Sequence, residues 1–220
     1  MKELYYTKNT IKNQGKLFAD KIKTFKKTNW TIKQEKAVLL VLDMQDFFLD
    51  KSSHAYVPSA NAIIPNIKDL SSYFLKTGSN IIFTKHINTI ENSQNMGKWW
   101  RDILTKSDKL SEINKDVFIE NSAIIIKSQY DAFYNTDLEK TLHNKGISQI
   151  IISGVMTHLC CETTARSAFI RGFDVFFGID LTATYNKDFH LSSLINLSHG
   201  FATPVLCNDI ISNLKMHSQN

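Results

Sequence analysis

Cysteine, proline and glycine are scarce in this chain. Three cysteines, two of them adjacent at Cys160 and Cys161 and the third at Cys207, make neither an even disulfide framework nor a C-x-x-C metal spacing. Three prolines and eight glycines in 220 residues exclude a collagen-like or low-complexity chain. No window approaches the roughly 18 consecutive apolar residues of a membrane span. The opening stretch MKELYYTKNTIKNQGKLFADKIK also lacks the unbroken apolar run of a signal peptide. The expectation is a soluble, cytoplasmic protein with reduced thiols and no membrane partner.

What is present is ordinary globular material, 43% hydrophobic, with a net charge of +5 and a pI near 9.0. The basicity is not spread evenly. Residues 1–36 hold ten Lys and three acidic residues, a charge of +7, which leaves −2 on the other 184. A nucleic-acid surface would interleave basic and aromatic residues on the body, and the body is slightly acidic, so no nucleic-acid partner is expected. The length fits one domain with an attachment: a basic N-terminal arm over 1–36 and a domain over 37–220.

Continuous apolar runs occur at Ala37–Leu42, Asn80–Thr84, Ala123–Lys127, Gln149–Ser153, Asp174–Gly178 and Thr203–Leu206. Runs of this kind, bounded by polar residues, are strands buried on both faces. The stretches between them carry the helical period at Ala60–Leu75, Leu138–Leu142, Leu159–Ile170 and Phe189–Leu197, several ending at a glycine. A weak helical period also runs through Leu17–Phe25 of the arm. Alternation of strand and helix predicts an α/β fold, a three-layer α/β/α sandwich on a six-stranded parallel, doubly wound (Rossmann-like) sheet. The segment 87–118 breaks the pattern, being polar, Trp-bearing and irregular, as an insert over a sheet edge would be.

In an open sheet of this type ligands sit at the carboxyl ends of the strands. The residues there are Asp43, Lys85 and His86, Lys127, and the turn from Gly154 to Cys160. Cys160 stands where strand four should turn into a helix. The helix dipole and a neighbouring ammonium such as Lys127 would lower its pKa towards a reactive thiolate. Taken alone, a free cysteine more often packs as a small hydrophobe, and that reading is favoured for Cys160 and still more for Cys161. Asp43 is either a working carboxylate or a cap on the next turn. Lys127 is either a site cation or a snorkelling lysine at the sheet edge. Their convergence on one sheet edge favours the site.

Three blocks carry a further signal: Val41-Leu-Asp43-Met-Gln45-Asp-Phe47-Phe, Lys127-Ser-Gln-Tyr130-Asp-Ala-Phe133, and Ser153-Gly-Val-Met-Thr157-His-Leu-Cys160-Cys-Glu-Thr-Thr-Ala165-Arg-Ser-Ala-Phe. Together, in this order and spacing, they resemble the signature blocks of the isochorismatase-like cysteine hydrolase superfamily, over about Ala37 to Ile211. The resemblance implies a Cys160, Asp43, Lys127 triad. It also implies a non-proline cis peptide between Val155 and Met156, which would turn the amides of Met156 and Cys160 into an oxyanion hole. The implied reaction is hydrolysis of a non-peptide amide or ureido C–N bond through a thioester. A homo-oligomer and a small-molecule substrate follow from the same resemblance.

Two departures from the family pattern shape the expectation. Nicotinamidases of the superfamily carry an Asp-x-His metal motif plus a further His. Here Phe47–His54 has no such pair and only His86 follows strand two, so no metal and no cofactor are expected, and nicotinamide is disfavoured. Isochorismatases have Gly at the position of Cys160, yet the arm ending at Trp30, the Asp43 block and the Lys-x-x-Tyr-x-Ala-Phe spacing lean towards them. Vinyl-ether hydrolysis with pyruvate release is therefore the second expectation, and a non-catalytic binding or assembly module the third. Phe47, His86, Trp100, Tyr130, Phe133 and His158 are expected to rim the substrate pocket, with core packing favoured for Phe133 and Trp99. Arg101 and Lys98 could meet a substrate carboxylate, although solvated faces are the commoner fate of such charges.

Overall fold

A computed structural model describes residues 1–28 and 30–217. Six strands, β1 (Ala37–Leu42), β2 (Asn80–His86), β3 (Ala123–Lys127), β4 (Gln149–Val155), β5 (Asp174–Ala183) and β6 (Thr203–Val205), form one sheet in the order β3-β2-β1-β4-β5-β6. Every neighbouring pair runs parallel. The sheet is flanked by helices, as the alternation in the sequence predicts. They are α1 (Ile11–Ile22), α2 (Asp46–Leu49), α3 (Ala60–Lys76), α4 (Ile90–Ser93), α5 (Met96–Trp99), α6 (Leu138–Asn144), α7 (Glu162–Ile170), α8 (Lys187–Gly200) and α9 (Cys207–His217).

The chain builds outward from β1 through β2 to β3, then returns to lay β4 on the other side of β1. That reversal makes the carboxyl ends of β1 and β4 the switch point of the sheet, where adjacent connections diverge and leave a crevice. All residues of both strands are buried. Leu42 lies opposite Gly154 at the rim. Gly154 has φ +106, and a Cβ built on it would stand 2.0 Å from the Leu42 carbonyl oxygen. No L side chain fits that approach without separating the strands on which the site depends. Gly154→Ala is therefore expected to lower the melting temperature by more than about 10 °C or yield insoluble chain, on the scale of about 3 kcal/mol or more for an incompatible backbone change. A melt within about 2 °C of wild type would contradict this packing account.

The sequence boundaries differ from the structure in instructive ways. β5 runs on to Ala183 instead of stopping at Gly178, and its register against β4 shifts between Ile152 and Gly154. Asp180 hid this extension, since an acid inside an apolar run signals its end. In the fold the Asp180 carboxylate accepts a hydrogen bond from the Cys207 N–H at 2.8 Å, at the start of α9. Helix α1 begins at Ile11, not Leu17, and α9 lies outside the expected helices. Tyr6, Ile11, Phe18, Ile22 and Ile32, from the basic N-terminal stretch, are buried in the same core as the sheet. Trp99, expected in the core, is 80% exposed, because α5 is a single turn on the outside of the insert.

Candidate active site

Asp43 directly follows β1 in a left-handed conformation, φ 50, which aspartate tolerates better than most side chains. Its carboxylate is fully buried. Oδ1 accepts the Thr84 hydroxyl from β2 at 2.6 Å, and Oδ2 lies 2.7 Å from the Lys127 Nζ at the end of β3. Lys127 is equally buried, and its ammonium also donates to the Gln129 carbonyl at 2.9 Å and to the Cys160 Sγ at 3.4 Å. The Cys160 thiol and the Asp43 carboxylate are also close enough to influence each other's charge. Three strand ends and the turn after β4 thus bring carboxylate, ammonium and thiol into mutual contact.

That turn is a wide helical loop, Thr157–Cys161, running into α7. The peptide between Val155 and Met156 is cis, as the resemblance implies. The second cysteine of the pair faces the other way, with the Cys161 Sγ 4.0 Å from the Ser153 carbonyl inside the core.

The electrostatics correct one expectation. Cys160 is not a resting thiolate, because burial pushes its pKa up to about 12; Lys127 pulls it down, but the Asp43 carboxylate adds to the upward push. Burial would also raise Asp43, yet the charge of Lys127, the His86 ring and the hydrogen bonds from Cys160 and Lys127 together hold it below the usual carboxylate range. For Lys127 burial favours the neutral amine, and the Asp43 carboxylate outweighs it, so its pKa lies above 10.5. The resting site is an ion pair beside a neutral thiol.

His86 closes the other side of the ammonium, with Nδ1 3.5 Å from the Lys127 Nζ and Nε2 2.8 Å from the Asn88 Oδ1. The Asn88 amide is oriented by its donation to the Ser128 carbonyl at 2.8 Å. Its oxygen therefore faces His86, which puts the ring proton on Nε2 and turns the Nδ1 lone pair towards Lys127. Burial, with the nearby ammonium, lowers the His86 pKa to about 4, so the ring is neutral. Gln45 ties this corner together, accepting the His86 N–H and donating to the carbonyls of His86 and Ser111.

A cavity of about 250 Å³ opens over Cys160. Of the expected rim residues, Phe47, His86, Trp100 and Tyr130 line it, together with Met156. The insert supplies one wall, where the Trp100 indole N–H donates to the Tyr130 hydroxyl at 2.7 Å. Arg101 lines the same wall. His158 is not among the lining residues: its Nδ1 lies 2.5 Å from the Thr184 hydroxyl and its ring stacks on Phe189. Phe133 is buried and stacks on Phe173, in the core role favoured for it. The sequence pattern did not reveal Tyr185, Leu159 and Asn88 as lining residues. Tyr185 lies two residues beyond the true end of β5, an end that the sequence does not mark.

The residues do not fit a metal. Among the described residues no group of three or more His, Cys, Asp or Glu side chains comes together, and the His54 Nε2 faces the Asp102 Oδ2 at 3.2 Å. Among the same residues no helix is long and apolar enough to cross a membrane.

A parallel doubly wound sheet with a cavity at its switch point that opens onto a thiol, the thiol backed by a buried carboxylate–ammonium pair, is the build of a small-molecule enzyme. The chain belongs to the isochorismatase family, whose domain model matches residues 37–209, and is accordingly a hydrolase. It is 37% identical to nicotinamidase 3 of Arabidopsis thaliana over 180 residues, 79% of this chain and 86% of that protein. It is 30% identical to enterobactin synthase component B of Escherichia coli over 171 residues, 76% of this chain but only 60% of that protein. Among solved structures, a cysteine hydrolase from Pseudomonas syringae pv. phaseolicola superposes with a TM-score of 0.80 at 24% identity, covering 86% of this chain and 96% of that one.

Proposed function

We propose that the protein hydrolyses a non-peptide amide or ureido C–N bond of a small molecule through a thioester on Cys160. The observation that carries this reading is the contact of thiol, carboxylate and ammonium beneath an aromatic-walled cavity, with 3.4 Å from the Cys160 Sγ to Lys127 and 2.7 Å from Lys127 to Asp43. Asp43 takes the thiol proton as sulfur attacks the carbonyl carbon, and Lys127 balances the charge that moves to sulfur. The amides of Met156 and Cys160 hold the oxyanion. As the tetrahedral adduct collapses, protonated Asp43 gives its proton to the departing nitrogen, so ammonia or an amine leaves and a thioester remains. Asp43 then deprotonates a water that attacks the thioester, releasing the acid and restoring the thiol.

The thiol pKa of about 12 is compatible with this order of events. The proton moves as the carbon–sulfur bond forms, and no free thiolate has to wait in a buried site. The lining suits a planar or cyclic acyl group, with Phe47, Trp100, Tyr130 and Tyr185 on the walls. The sequence set nicotinamide aside for want of an Asp-x-His motif. The relative named nicotinamidase, at 37% identity, returns it to the candidates. Vinyl-ether hydrolysis is the second reading, favoured by the similarity to enterobactin synthase component B and to a Bacillus subtilis protein named isochorismatase.

The deciding experiment assays nicotinamide, aliphatic primary amides, N-carbamoyl amino acids and isochorismate side by side, scoring ammonia and pyruvate. Ammonia from at least one amide or ureide, abolished by alkylation of Cys160, is the expected result. Pyruvate from isochorismate, undiminished by alkylation and without ammonia from any amide, would reverse the order of the two readings.

A further inference from the structure

We propose that Lys2 to Tyr6, outside the residues matched by the family, form a strap that sets the width of the cavity mouth, with Lys2 as its positioning residue; this rests on the cavity being the substrate site. Two walls of the cavity come from segments far apart in sequence, His54 and Ala55 after α2 and Tyr185 after β5. The strap is bonded to both. The Lys2 ammonium donates to the His54 carbonyl at 2.5 Å and stands 4.7 Å from the centre of the Tyr185 ring, so one cation joins the two walls.

The backbone of the strap fixes where that cation can reach. The Glu3 N–H donates to the Tyr185 carbonyl at 2.6 Å. The N–H groups of Tyr5 and Tyr6 both donate to the Ser59 hydroxyl, each at 3.0 Å, and Ser59 is fully buried at the head of α3. On the other side the Thr184 N–H donates to the Tyr5 hydroxyl at 3.0 Å. The side chain of His54 reaches on to Asp102 of the insert at 3.2 Å, so the third wall hangs on the same chain of contacts. A strap anchored at Ser59 and Thr184 and closed by Lys2 makes the mouth a fixed aperture. Substrate is then positioned by walls that the matched family segment does not hold by itself.

The test compares full-length wild type, Lys2→Met and Lys2→Arg. Methionine keeps the length of the side chain but removes donor and charge, whereas arginine retains a donor and a cation that stacks on an aromatic ring. The rate at which methyl methanethiosulfonate labels Cys160, read by peptide mass, reports the aperture without any turnover. Lys2→Met is expected to label about fivefold faster, the scale of one lost hydrogen bond, and Lys2→Arg at close to the wild-type rate. For an amide that wild type hydrolyses, KM should rise about fivefold in Lys2→Met with kcat within about twofold. Labelling of Lys2→Met at the wild-type rate would overturn the strap. So would parallel losses of kcat, KM and melting temperature that Lys2→Arg fails to rescue. Because labelling needs no substrate, a protein inactive on every amide would still show whether the strap holds the mouth, while the hydrolase reading would fall separately.

Discussion

Cys160→Ala is expected to abolish ammonia release, lowering kcat by about 10⁴-fold or more, while the protein stays folded. The substitution removes the only protein atom that bonds to the carbonyl carbon in the proposed scheme. It leaves the Asp43–Lys127 ion pair intact at 2.7 Å, so the costliest charges in the site keep their partners. Its stability cost should be confined to the space left by one sulfur, about 1 kcal/mol. Steady-state ammonia release together with a thermal melt checks both halves. Activity within about tenfold of wild type would remove the thioester from the mechanism, whatever the melt shows.

The same electrostatics fix the pH dependence of the wild-type enzyme. In the proposed scheme Asp43 must be ionised to take the thiol proton, and its pKa is held below the usual carboxylate range, so the acid limb of activity should lie below that range. Lys127 stays charged to above 10.5 and Cys160 keeps its proton to about 12, so neither gives a limb at neutral pH. His86, with a pKa of about 4, is already neutral there.

How much of this was legible in the sequence depends on what each residue announces locally. Buried parallel strands are written as continuous apolar runs, so all six strand positions could be read directly, and with them the residues at the ends of β1 to β4. Asp43 and Lys127 stood out because a charge that closes an apolar run needs a reason. The pKa of Cys160 could not be read. The sequence places an ammonium near the thiol, but not the depth of burial that outweighs it. Tyr185 escaped because Asp180 marks a false end to β5, and only the fold supplies the Cys207 N–H that satisfies that carboxylate. The N-terminal stretch was legible as charge and not as structure. Its ten lysines mask the sparse apolar positions, Tyr6, Ile11, Phe18 and Ile22, that bury it against the sheet.

Asp43→Asn is expected to cost both turnover and stability. It removes the base that both halves of the proposed scheme use, which should lower kcat by about 10³-fold or more. It also leaves the Lys127 ammonium fully buried without its counter-charge, and stranding one member of a buried pair costs about 3–5 kcal/mol. The sign of the pH dependence distinguishes this from ordinary misfolding. In wild type the folded pKa of Asp43 is lowered, so its contribution is present above the usual carboxylate range and lost as pH falls through the folded value. The folded pKa of Lys127 is raised, so its contribution is present below 10.5 and lost as pH rises beyond. Once Asp43 is neutralised, burial, the largest influence on Lys127, is opposed only by Cys160 and drives its pKa below 10.5, reversing the second sign. The variant should therefore gain stability relative to wild type as pH rises towards 10.5, the alkaline loss from the buried Cys161 and Cys207 thiols being common to both. Adding Lys127→Met removes the stranded charge with a side chain of similar length. The double variant should be more stable than Asp43→Asn alone and lose the alkaline gain, though it remains inactive. Urea melts of wild type, Asp43→Asn, Lys127→Met and the double variant from about pH 6 to about pH 10 make the comparison. Equal stability of Asp43→Asn and the double variant at every pH would show that the buried pair is not the coupled unit described here.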